Sequence, residues 1–197
     1  MLLIAACEAA FMLLAYRAAN GGGIASELPS WQSCALLAVG TALQAGIVCR
    51  SGSVDVAVLT VALCAANVCA ATDAATGYIF DAVTLPACAL SALVAALHGS
   101  LPATLLGMAV ASGTLFALYA VTRGRGLGFG DVKLAACIGA ALGAGAAMTS
   151  LFVSFVAGGA HAAFLLASGR GKRGDALPFG PYLAAGAFLV ASLGRLG

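Results

Sequence analysis

Apolar residues run along this chain in long blocks, and polar residues interrupt them only briefly. Eight blocks stand out: Leu2 to Ala19, Trp31 to Cys49, Val54 to Thr72, Ala82 to His98, Pro102 to Val121, Val132 to Thr149, Ser150 to Ser168 and Leu177 to Leu193. Each is close to the roughly 17 to 25 residues that a helix needs to cross a bilayer. The pattern therefore predicts an all-α fold, a polytopic transmembrane helical bundle of about eight spans. The softest boundary separates the sixth from the seventh block, where the run passes through Met148, Thr149 and Ser150 without a charge. Seven spans is the alternative count. The longest polar connection, Asn20 to Ser30, is too short to fold alone, so residues 1–197 read as one membrane-embedded domain with no soluble one. The stretch "IAAC" before Glu8 mimics a lipoprotein cleavage box. Only three residues precede it and none is basic, so the first block reads as an anchor.

Composition agrees with a lipid environment. Of 197 residues, 62% are hydrophobic and 8% are charged, and mean hydropathy is +1.07. Seven acids and nine bases are too few to coat a soluble core of this size. The net charge of +2 is small, and no basic stretch is interleaved with aromatic residues, which excludes nucleic acid as a partner. The expected partner is the lipid bilayer.

The bases set an orientation. With the N-terminus outside, Arg17, Arg123, Arg125, Lys133, Arg170, Lys172 and Arg173 fall on or beside the cytoplasmic face, leaving Arg50 and Arg195 outside. The same threading gathers Asp73, Asp81, Asp131 and Asp175 at that face, although the positive-inside rule makes no demand on acids. The cysteines carry no CxxC pair and read as small packing residues. Neither they nor His98 and His161 form a zinc pattern, so no metal and no cofactor is expected.

The acids remain to be explained. In "GLGFGDVK", Gly126 to Lys133, Asp131 follows three glycines and directly precedes a span. It suits a helix cap, and the glycines permit a tight turn and close approach. Asp73 ends a span, where the negative end of the helix dipole disfavours an acid. Two carboxyl groups at one face can instead serve hydrolysis. Brought close together they cannot both ionise, so one accepts a proton from water while the other donates to a scissile carbonyl.

Three ordered motifs then resemble one family. "GFGDVK", Gly128 to Lys133, is similar to the G-x-G-D-x-K signature of bacterial prepilin peptidases, GxGD-type aspartic proteases of the membrane. "DAATGYIFDAVTLP", Asp73 to Pro86, is similar to the family's first catalytic segment, and "LPFGPYLAAG", Leu177 to Gly186, to the lead-in of its last helix. The resemblance implies a catalytic pair, Asp73 and Asp131, and supporting or substrate-binding roles for Gly128, Gly130, Lys133, Asp81, Pro178, Gly180 and Pro181. Lys133 would pair with a carboxylate or anchor at the headgroups, Asp81 would cap the fourth helix, and the Pro178 to Pro181 stretch would shape the last helix. Two departures matter. Phe80 stands where the family usually has proline. The connection Asn20 to Ser30 replaces the cytoplasmic insertion, often with zinc ligands, that bifunctional members carry for N-methylation.

The resemblance thus implies a short-form aspartic endopeptidase in the bacterial inner membrane. It would cleave basic leaders from type IV prepilins or pseudopilins at the cytoplasmic face, without methylating the product. Two alternatives stay open, a transporter or proton channel and an inactive peptidase-like scaffold. The transporter predicts acids near the midplane, which the apolar blocks read as lacking.

Overall fold

The computed structural model describes residues 2–22, 31–49, 56–172 and 177–193. Residues 23–30 of the Asn20 to Ser30 connection, Arg50, Arg173, Asp175 and Arg195 lie outside the described residues. Among the described residues the chain forms seven helices and no strand: α1 (Leu2–Gly22), α2 (Trp31–Cys49), α3 (Val56–Thr76), α4 (Asp81–Leu97), α5 (Leu101–Thr122), α6 (Phe129–Ala167) and α7 (Gly180–Leu193). Of these, α3, α5 and α6 are long and apolar enough to cross a membrane.

Helix α3 is the axis of the bundle. Its sequence is apolar on every side, and such a helix is stable only when neighbours surround it. Residues 58–73 are buried with one exception, and α1, α2, α4, α6 and α7 all pack on it. Alanines and cysteines dominate that surface, and small side chains let the neighbouring backbones come close. Helix α5 lies at the other extreme. It exposes Leu105, Leu106, Phe116 and Val121, an apolar outer surface suited to lipid.

The expected boundary between the sixth and seventh spans is present but displaced. Helix α6 is interrupted at Gly143, whose φ of 73° and ψ of 171° are non-helical, a conformation that favours glycine. Before the break α6 runs antiparallel to α5, with Gly139 and Gly143 against Gly107. After it, the Thr114 hydroxyl donates to Met148 Sδ at 3.4 Å. Thr114 lies two turns beyond Gly107, so the chain has turned back alongside α5. Residues 129–142 and 144–167 are thus two limbs, divided at Gly143 and not at Met148 to Ser150. The uncharged run hid the break because its cause is one backbone conformation.

A second correction concerns acids inside the bundle. Glu8 on α1 is buried, and its carboxylate accepts hydrogen bonds from Thr41 Oγ1 at 2.6 Å and Asn67 Nδ2 at 2.8 Å. Asn67 also donates to the Leu37 carbonyl at 3.1 Å and lies so close to Gly40 that a side chain there would collide with it. One turn along, the fully buried Gln44 donates to the Thr60 carbonyl and to Cys64 Sγ. The apolar blocks therefore do hold an acid away from their ends, clamped between α1, α2 and α3.

Candidate active site

Four helix ends meet at one end of the bundle: the C-terminus of α3 and the N-termini of α4, α6 and α7. Asp73 lies in the last turn of α3, buried to 6% exposure, and α3 stops just beyond it at Gly77, whose φ is +70°. The unfavourable dipole of α3 is answered by a second helix. The Gly180 amide, at the first position of α7, donates to Asp73 Oδ2 at 2.7 Å. A helix N-terminus carries free amides and positive partial charge, so it suits a carboxylate. This contact explains why glycine stands at 180, since a Cβ would lie 2.9 Å from that oxygen.

Asp131 is held in a parallel way. Gly128 is the N-cap of α6, and its amide donates to Asp131 Oδ2 at 3.0 Å. Asp131 thus sits at the third helical position and reaches back, the reciprocal half of a capping box. At 7% exposure it is buried, and it interacts electrostatically with Asp73. Each carboxyl therefore has one oxygen tied to a backbone amide of a helix start. Neither has a further hydrogen-bond partner among the described residues.

Gly130 serves closeness between chain segments. A Cβ there would lie 2.8 Å from Ile79 Cβ, so the glycine lets α6 start against the 77–80 connection. That space is occupied by Ile79. Asp81 is not the cap of α4. The N-cap is Phe80, without a side-chain bond, and Asp81 occupies the first turn, paired with Lys133 Nζ at 2.5 Å. Lys133 also lies 4.9 Å from the Phe129 ring centroid. The pair ties the start of α4 to the start of α6 but is 24% and 56% exposed, so its energetic contribution is small. Phe80 has φ −81°, within the range proline imposes, and its carbonyl accepts the Val83 and Thr84 amides. The backbone a proline would enforce is already present. Pro178 is half-buried in the lead-in to α7, and Pro181 lies in its first turn.

No group of three or more His, Cys, Asp or Glu side chains fit to hold a metal is present among the described residues. His161 is bonded to the Tyr182 hydroxyl. An apolar groove of about 310 Å³ lies between α2, α3 and α7, lined by Val39, Leu43, Asn67 and Phe188 among others, and neither aspartate lines it. The Glu8–Thr41–Asn67 cluster is the main feature missed by sequence reasoning. The signal was there in Glu8, Thr41 and Asn67, polar side chains inside three different apolar blocks, since such residues in membrane helices usually partner one another.

Fold and site together define a polytopic helical membrane protein with two buried aspartates held at one end of the bundle. The sequence profile of the type IV leader peptidase family matches residues 57–163, more than half of the chain and including both aspartates. The chain belongs to that family. It is 38% identical over 154 residues to a prepilin leader peptidase/N-methyltransferase of Burkholderia pseudomallei, covering 74% of this chain and 49% of the relative. A protein of the same description from Bacillus subtilis is 38% identical over 106 residues, covering 54% and 42%, and one from Pseudomonas putida is 33% identical over 120 residues, covering 58% and 42%. The chain thus spans about half the length of the curated relatives it matches. No solved structure matches it.

Proposed function

We propose that the protein is an aspartic endopeptidase that removes the leader peptide from type IV prepilins or pseudopilins, with Asp73 and Asp131 as its catalytic pair. The observation that carries this reading is the matched treatment of two buried carboxyls, each bonded through one oxygen to the amide of a helix start. In the proposed reaction the ionised member takes a proton from water. The water attacks the scissile carbonyl, and the protonated member donates to its oxygen. The α6 and α7 amides fix the geometry of both acids before substrate arrives. Lys133 and Asp81 brace the starts of α4 and α6, and no metal enters the reaction.

The site operates at the cytoplasmic face of the inner membrane. That placement rests on the distribution of Lys and Arg, which gathers Arg123, Arg125, Lys133, Arg170 and Lys172 at the end holding the aspartates. The protein cleaves without methylating its product, because the connection between α1 and α2 is too short to form a donor-binding domain.

Purified protein in liposomes, incubated with a type IV prepilin, tests the reading. The expected result is leader loss by wild type, undiminished by zinc chelation, and no leader loss by Asp73→Asn or Asp131→Asn. Either variant cleaving at the wild-type rate would overturn the assignment. Intact mass of the product made with a methyl donor present tests the second part, and a gain of one methyl group would contradict it.

A further inference from the structure

The aspartates do not settle what holds the Gly180 amide in place. Gly180 is the first residue of α7, and the residue before it, Phe179, begins the helix: its carbonyl accepts the amides of Tyr182 and Leu183, both at 3.1 Å. The Phe179 ring packs against the second limb of α6. There its centroid lies 5.0 Å from that of Phe155 and 6.2 Å from that of Tyr182. Gly158, one turn beyond Phe155 and buried, forms the floor under this ring. A Cβ at Gly158 would lie 2.8 Å from Phe179 Cε2, closer than any real side chain sits, so the ring would have to move. Tyr182 is held in turn by His161 on the same limb of α6.

We propose that Phe155 and Gly158 are positioning residues for the reaction: they seat the Phe179 ring, and the seated ring fixes the Gly180 amide on Asp73. The inference rests on the reading of Asp73 as catalytic. The effect of Phe155 and Gly158 passes through the Phe179–Gly180 peptide group, whose amide meets Asp73. A ring is stiff, and its displacement is transmitted to the backbone beside it. A misplacement of about 1 Å at a reacting group costs as much as 10²-fold in rate.

The test uses the full chain in liposomes with a type IV prepilin, measuring kcat and KM separately together with thermal unfolding. Gly158→Ala should lower kcat about tenfold and leave KM within about twofold, since the lost interaction acts on the reacting centre and not on binding. Gly158→Ala/Phe179→Leu should recover kcat relative to Gly158→Ala, because the shorter side chain makes room for the new methyl. Phe155→Leu adds no atom to the contact and serves if Gly158→Ala does not fold, with the same kcat-selective loss expected. Wild-type kcat in Gly158→Ala or Phe155→Leu overturns the inference, as does a loss confined to KM or a double variant slower than Gly158→Ala. Asp73→Asn, run alongside, separates the two readings. If it cleaves normally, the catalytic assignment fails and this inference with it. If it is inactive while Gly158→Ala is fully active, only the positioning role fails.

Discussion

Among the described residues the bundle buries acids in two places, and it treats them in opposite ways. Glu8 meets two side-chain donors, Thr41 on one oxygen and Asn67 on the other. Three helices close around it and no oxygen is left to work. Asp73 and Asp131 each spend one oxygen on a backbone amide, from Gly180 and Gly128 respectively, and have no other hydrogen-bond partner among the described residues. The first arrangement joins helices. The second holds two carboxyls still while leaving them capacity to bind water or a carbonyl. Burial of an acid is therefore a poor guide to its role in this protein, and the accounting of its oxygens is a better one.

Substitutions can break that contrast. The largest effect is expected for Asp73→Asn and Asp131→Asn, which remove a proton-transferring group and should lower cleavage by about 10³-fold or more, in line with general acid and base contributions, with little change in unfolding. Next comes Gly180→Ala. Its methyl would crowd Asp73 Oδ2 and displace the amide that holds it, so kcat should fall about 10- to 100-fold. Glu8→Ala should do the reverse of an aspartate change. It leaves one buried Asn67 N–H without its acceptor, though the Thr41 hydroxyl keeps the Leu37 carbonyl at 2.7 Å, at a cost of about 1–3 kcal/mol, read by denaturation in detergent, while cleavage per folded molecule stays at the wild-type level. Smallest is Asp81→Asn, which removes an exposed ion pair. It should change stability by less than about 1 kcal/mol and activity only a few fold. A Glu8 variant that folds normally and is inactive would erase the distinction between the two regions.

The same contrast explains what could be read along the chain. Helix number and type follow from apolar length, and the aspartates follow from their placement beside Gly128, Gly130 and Pro86 in recognisable motifs. The α6 boundary was displaced because one glycine at positive φ, Gly143, reverses the chain without any polar marker. Asp81 was expected to cap α4, and instead it pairs with Lys133 across 52 residues. That partner is set by how α4 and α6 pack, which local sequence does not encode. Glu8 escaped for the same reason, since its donors come from Thr41 and Asn67 on two other helices. The Lys133 and Glu8 contacts, made where segments meet, were not legible in local sequence, and neither was the Gly143 break, which carries no polar marker.

The central claim is that Asp73 and Asp131 act as one unit. Its most direct test is the single-turnover cleavage rate of a type IV prepilin by Asp73→Asn, Asp131→Asn and the double variant, in liposomes at equal folded protein. Groups that share one reaction lose their contribution together, so the account predicts that the double variant is no slower than the slower single variant. A double variant whose loss is the product of the two single losses, or a single variant that retains wild-type cleavage, would contradict it.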